Sequence, residues 1–194
     1  DPGQFIYNVW DEAYFGDTPL GWEIAGHEET VRSLSDSAIR EFWAAGYRPG
    51  NLVVAVAGDI GHDDAVELVD RSFGRGDGVD REFAPAPEVP HERLRLDHRH
   101  TAQAHVCLGL KALPRDHEDQ WTLDLLNTIL GDGAASRLFL KIREEEGLAY
   151  DVHSFQTDYA DCGMLQVYMG VDADDVVPAV RSVVSELARL RDER

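Results

Sequence analysis

Lysine and cysteine are scarce in this chain, and a basic excess is missing altogether. Lys111 and Lys141 stand against 16 arginines in 194 residues, a bias expected of a GC-rich or salt-adapted source. The formal net charge is -19, with 18 acidic against 6 basic side chains in residues 1–90 and 19 against 12 in residues 91–194. Nucleic acid and anionic membranes bind basic patches that displace counterions, so the sequence excludes both as partners. The acidic excess is read as a solvated surface, with a cavity wall that favours basic peptides as the sharper alternative. Cys107 and Cys162 make neither a Cys-x-x-Cys nor a metal-ligand pair; two free thiols are the simpler reading and a disulfide is the other. Membrane-spanning runs, a signal peptide, low-complexity stretches and internal repeats are all lacking, which excludes solenoid architectures. The chain opens at Asp1-Pro2 without an initiator methionine and closes within a charged helix, as a piece of a longer protein would.

What is present alternates between helical spacing and short apolar runs. Phe5, Ile6, Val9, Trp10 and Ala13 predict a helix over 4–15, stopped by the Gly16-Asp17-Thr18-Pro19 turn. A short helix is expected over 28–34, and a further one from a Ser35 or Asp36 cap through Ile39, Phe42 and Trp43 to Gly46. Leu52 to Ala57 is a continuous apolar run that suits a strand buried on both faces, and a helix starting at Asp63 or Asp64 follows. Three prolines within 84–90 predict an extended linker over 84–91.

Beyond it, Leu94 to His98 and His105 to Leu110 alternate as strands, with Val106, Leu108 and Leu110 on one face. A helix over 118–130 is expected to bury Trp121, Leu125, Leu126 and Ile129. Strands over 149–157 and 164–171 follow, and a last helix turns Val176, Val180, Val183, Val184, Leu187 and Leu190 inward. The order ββααββα gives an α+β layered sandwich, a mostly antiparallel sheet covered by helices, preceded by a helix-rich partial domain with one buried strand.

Gly131 to Tyr150 is the most informative stretch. Leu138, Phe139 and Ile142 predict a helix over 137–146 that Ser136 can cap and Gly147 can end in a left-handed conformation. Arg143 falls at the border of the buried face, and Tyr150 opens the next strand, so both can point into one cleft. Gly131-Asp132-Gly133 follows a helix rather than a strand and lacks a lysine, against a dinucleotide or Walker-type loop; close backbone approach to a ligand and a plain interhelical turn both remain open. His98, His100 and His105 are a weak metal candidate, without cysteine or a carboxylate in register.

This stretch resembles the inverted-zinc-motif metallopeptidases, the family of pitrilysin, insulin-degrading enzyme and mitochondrial processing peptidase. The matching residues are Gly131, Gly133, Ser136, Arg137, Leu138, Phe139, Arg143, Glu144 and Gly147 to Tyr150; Gly16 to Gly21 with Gly26, and Tyr47 to Gly58, agree in order and spacing. The resemblance implies residues 1–83 as the tail of a first, zinc-type domain without its metal site and 92–194 as most of a second, non-catalytic domain. The family's His-x-x-Glu-His signature is absent from all eight histidines, and its third ligand, a glutamate, would precede Asp1. The resemblance further implies zinc in the parent enzyme or a partner subunit, a peptide substrate, and a homodimer or a paired zinc-bearing subunit. Arg143, Tyr150, Gly131 and Gly133 would contact that substrate. A catalytically inactive structural subunit and a free-standing peptide-binding module are the alternatives.

Overall fold

The computed structural model describes residues 1–74, 76–78, 85–86 and 90–192. Residues 1–24 and 85–194 form one compact unit, and residues 25–84 another. Much of the predicted 84–91 linker lies outside the described residues.

The first unit is built on a three-stranded antiparallel sheet of β1 (Ala104–Ala112), β2 (Ala149–Asp158) and β3 (Gly163–Val171), in the order β1-β3-β2. The register runs from Ala104↔Val171 to Ala112↔Gly163 on one side of β3, and from Asp151↔Gly170 to Asp158↔Gly163 on the other. Every residue of β3 is buried. Successive side chains point to opposite faces. Leu165, Val167, Met169 and Val171 therefore share one face, packed with Leu130 of α5 (Gln120–Leu130), with Leu138 and Ile142, and with Ala179 and Val183 of α6 (Val176–Asp192).

The opposite face is covered by α1 (Pro2–Phe15). Asp1 caps this helix by accepting from the Gly3 amide at 2.9 Å, and Pro2 sits where a missing N–H costs nothing. Tyr7 packs edge-on against Phe155 and lies 5.9 Å from the Tyr168 ring. The Trp10 indole fills the place where a Cβ of Gly109 would be, so β1 can carry only glycine there. Tyr14, Phe15, Cys162 and Met164 close the far end. Helices on both faces of an antiparallel sheet make the layered α+β sandwich expected of the sequence.

Three local expectations are corrected. On α5, Leu126, Asn127 and Leu130 turn inward, while Trp121 is 80% exposed and Leu125 and Ile129 are exposed as well. The helix carries two apolar stripes. Asn127 decides between them, because its side-chain oxygen accepts from the buried Ser154 hydroxyl at 2.7 Å. On α6, Val184 is exposed and Glu186 takes an inner position. The segment Leu94 to His98 joins no ladder and exposes both leucines, because no neighbouring strand among the described residues satisfies its backbone.

The second unit holds α2 (Glu28–Ser33), α3 (Asp36–Gly46), a 3-10 turn (Pro49–Asn51) and α4 (His62–Phe73). The Ser35 hydroxyl accepts from the Ala38 amide at 3.1 Å and starts α3 where the sequence places it. None of the three helices buries a residue. Leu52 to Ala57, predicted as a buried strand, forms no ladder, and Val53 is 97% exposed. A doubly buried strand needs neighbours on both edges and cover on both faces, and the described residues supply neither.

Candidate functional site

The stretch from Gly131 to Tyr150 connects α5 to β2, and each of its turns has a local cause. Gly131 ends α5, accepts from the Ser154 amide at 3.1 Å, and lies so close to Ser154 that any side chain would collide with it. This glycine is a packing requirement. Gly133 adopts φ 106° with open space where a Cβ would project, so its backbone conformation rather than crowding selects glycine. Ser136, buried, turns its hydroxyl back to the Gly133 carbonyl at 2.7 Å instead of capping the helix that follows.

That helix is wound more widely than predicted. Residues Phe139–Glu145 form a π-helix, and the amide of Glu146 reaches five residues back to the Lys141 carbonyl at 3.0 Å. π-Turns insert a residue into a helix and concentrate at functional sites. Ile142 anchors the inner side with no exposed surface. Arg143, next in sequence, is half-exposed: its guanidinium lies 4.9 Å over the Phe139 ring and its Nε 3.8 Å from Glu144. Gly147 ends the segment at φ 66°, the left-handed conformation expected of it.

Tyr150 occupies a second irregularity. Ala149 pairs with Val171 and Asp151 with Gly170, so Tyr150 is the extra residue of a β-bulge at the start of β2. Its ring is exposed, and its hydroxyl donates to the Asp172 carboxylate at 3.3 Å. Among the described residues no hydrogen bond joins Arg143 to Tyr150. A π-turn carries the one and a bulge the other, within a connection that packs against β2.

The connection is clamped from behind. Arg137 donates through Nε to Glu186 of α6 at 3.1 Å, and Arg189 donates to the same carboxylate at 2.6 Å. The Glu186 side chain is only 4% exposed. Lys141 bridges Glu145 and Glu146 at 2.7 and 3.4 Å, and the Ser182 hydroxyl donates to Glu146 at 2.6 Å. Sequence reasoning missed Glu186 and Asp172. Glu186 was legible as a charged residue at an inner α6 position, three after Val183, whereas nothing in the spacing pointed to Asp172.

Chemically, an exposed guanidinium can grip a peptide carbonyl or carboxylate through two N–H groups, and a phenol can donate to an oxygen. Zinc does not fit the residues present: among the described residues no cluster of three or more His, Cys, Asp or Glu is arranged to hold a metal ion. His105 instead bonds the Tyr168 hydroxyl through Nδ1 at 2.9 Å, and the Tyr168 ring also lies 5.0 Å from that of His153. Cys107 and Cys162 are free, and burial pushes both thiols up, Cys107 to about 12.

Comparison with known proteins places the chain in a family. Residues 33–194 match the family model described as the peptidase M16 inactive domain. An uncharacterized zinc protease of Streptomyces coelicolor is 37% identical over 96% of this chain and 42% of its own length. The uncharacterized zinc protease YmxG of Bacillus subtilis is 35% identical over 98% of this chain and 46% of its own. The chain therefore spans less than half the length of these relatives. Among solved structures, a peptidase M16 inactive domain from Pseudomonas fluorescens superposes with a TM-score of 0.83 at 22% identity, covering 97% of this chain and 46% of that one. A chain of Complex III2 from Candida albicans gives 0.85 at 16% identity, with 97% and 47% covered. These two likenesses are of fold.

Proposed function

The chain belongs to the peptidase M16 family, in its inactive-domain form, and on that premise we propose that it is the non-catalytic, substrate-chamber part of a zinc metalloendopeptidase that cleaves peptides. Residues 1–83 are the tail of a zinc-type domain, 84–91 the linker, and 92–194 most of the non-catalytic domain. The zinc belongs to the parent enzyme or to a paired subunit, in a homodimer or a two-subunit assembly, and the described residues take no part in holding it.

The observation that carries this reading is the placement of Tyr150. A bulge residue is released from the regular pleat, which lets its side chain be aimed independently of the ladder, and here it presents a phenol to solvent. Arg143, half-exposed on the π-helix, adds a planar donor fork for a peptide carbonyl. Exposed Gly133 adds backbone that a peptide can approach closely, and buried Gly131 fixes the loop against Ser154. Asp172 holds the Tyr150 hydroxyl until substrate offers a better acceptor.

The test is made in the full assembly. Arg143→Ala and Tyr150→Phe are each expected to lower kcat/KM for peptide cleavage by about tenfold, the worth of one hydrogen bond involving a charged or well-placed donor. Unchanged turnover removes both residues from the substrate site and favours a purely structural subunit.

A further inference from the structure

The inner stripe of α6 runs Ala179, Val183, Glu186 and Leu190, so a carboxylate holds a place that the helix otherwise gives to apolar side chains. A buried carboxylate held by guanidinium groups gains little stability over an apolar residue of similar size. Its place therefore points to geometry. One turn earlier on the same side of α6 stands Ser182, whose hydroxyl donates to Glu146. Each of the two residues grips one end of a single segment: Glu186 takes Arg137 at its start, and Ser182 takes Glu146 at its finish.

Between the grips the segment is wound wide. The Glu146 amide reaches the Lys141 carbonyl at 3.0 Å, five residues back, and the Leu148 amide reaches that of Ile142 at 2.9 Å, six back. These two bonds bracket Arg143. An ordinary α-helix turns about 100° per residue, so rewinding this turn by one residue would rotate Glu146 by that angle relative to the Arg137 end. Arg137 and Glu146 could not then both meet their partners on α6. With Ile142 locked in the core, the rotation would fall on the residues after it, Arg143 first.

We propose that Glu186 and Ser182 are positioning residues, which together hold the wide turn and so fix the bearing of the Arg143 guanidinium toward a peptide. The proposal rests on the reading of Arg143 as a substrate contact. In the full-length parent enzyme, Glu186→Leu and Ser182→Ala cut the two grips. Leucine at 186 leaves no buried charge behind, because the Arg137 and Arg189 side chains are 26% and 51% exposed and reach water.

Hydrogen exchange followed by mass spectrometry reads the turn through peptides covering 139–148, and peptides from β3 verify that the sheet stays intact. With both grips cut, exchange over 139–148 is expected to rise about tenfold or more while β3 is unchanged. The value of kcat/KM is expected to fall about tenfold, as for Arg143→Ala, and adding Arg143→Ala to the pair is expected to cost nothing further. Unchanged exchange over 139–148 overturns the proposal whatever the activity does. So does a loss of activity that adds in full to that of Arg143→Ala, since the grips would then act by another route. Should Glu186→Leu fail to fold, Ser182→Ala alone carries the same two measurements, with an effect of about threefold on each expected. An inert Arg143→Ala together with faster exchange over 139–148 would sink the substrate role of Arg143 and leave the hold on the turn standing.

Discussion

Ala149 and Val152 stand three positions apart on β2 and are buried in the same core cluster, which regular alternation does not allow. Tyr150 makes it possible by adding one residue opposite a single step of β3. In most strands a deletion reverses every later side chain. Here, removing Tyr150 brings Ala149 and Asp151 into regular pairing with Val171 and Gly170 and leaves Val152 and Ser154 facing the helices. The chain lacking Tyr150 is expected to fold with its sheet intact, as judged by circular dichroism and a cooperative melt. Loss of that melt would show that the bulge is structurally required.

The choice of inner face on α5 gives a contrast between two large residues. Met169, fully buried on β3, is expected to cost about 2–5 kcal/mol when replaced by alanine. Trp121→Ala, far larger in volume but exposed, is expected to change stability by about 0.5 kcal/mol or less. Urea denaturation of the two variants decides the matter, and equal losses would place the tryptophan against the core.

Arg137→Ala removes one of two guanidinium partners from a carboxylate that is almost wholly buried. A loss of about 2 kcal/mol is expected, since Arg189 still partly neutralises Glu186. Glu186→Gln, which keeps an accepting oxygen, is expected to cost less. Chemical denaturation of both variants measures the order, and a larger loss for the glutamine would reverse this account of the clamp.

Burial pushes the Asp11 carboxyl up from 3.8 to about 6. The native state therefore holds this proton more tightly than the unfolded chain does. Its stabilising contribution is complete below about pH 4 and is lost as the pH rises through about 6. Asp11→Asn is expected to flatten the pH dependence of stability between those values and to raise stability at pH 7. Because the group is partly solvated, the gain is about 1 kcal/mol. Melting temperatures at pH 4, 5, 6 and 7 test the sign, and an unchanged slope would remove Asp11 from the titration.

The helices were legible because their signals are local: Ser35 caps α3, and helical spacing marks α1, α4 and α6. The hairpin of β2 and β3 was legible from alternation around a polar turn. Leu94 to His98 and Leu52 to Ala57 were read as strands on equally good local grounds, yet a strand exists only by pairing, and their sequences carry no record of whether a neighbour is present. The stripe that α5 buries depended on a single Asn127–Ser154 hydrogen bond between elements 27 residues apart, beyond the reach of periodicity. At the candidate site, Gly147 and its left-handed turn were readable. The π-winding around Arg143 and the bulge at Tyr150 were not, because each inserts one residue without changing the apolar pattern on either side.

The seating of Trp10 against Gly109 also equips the molecule with an optical reporter. Trp22, Trp43 and Trp121 face solvent, whereas the Trp10 ring is half-buried with its indole nitrogen enclosed and unpaired. Collisional quenchers such as iodide will extinguish the first three and spare the fourth. The residual emission then follows a single event, the departure of the N-terminal helix from the sheet, and separates it from melting elsewhere in the chain.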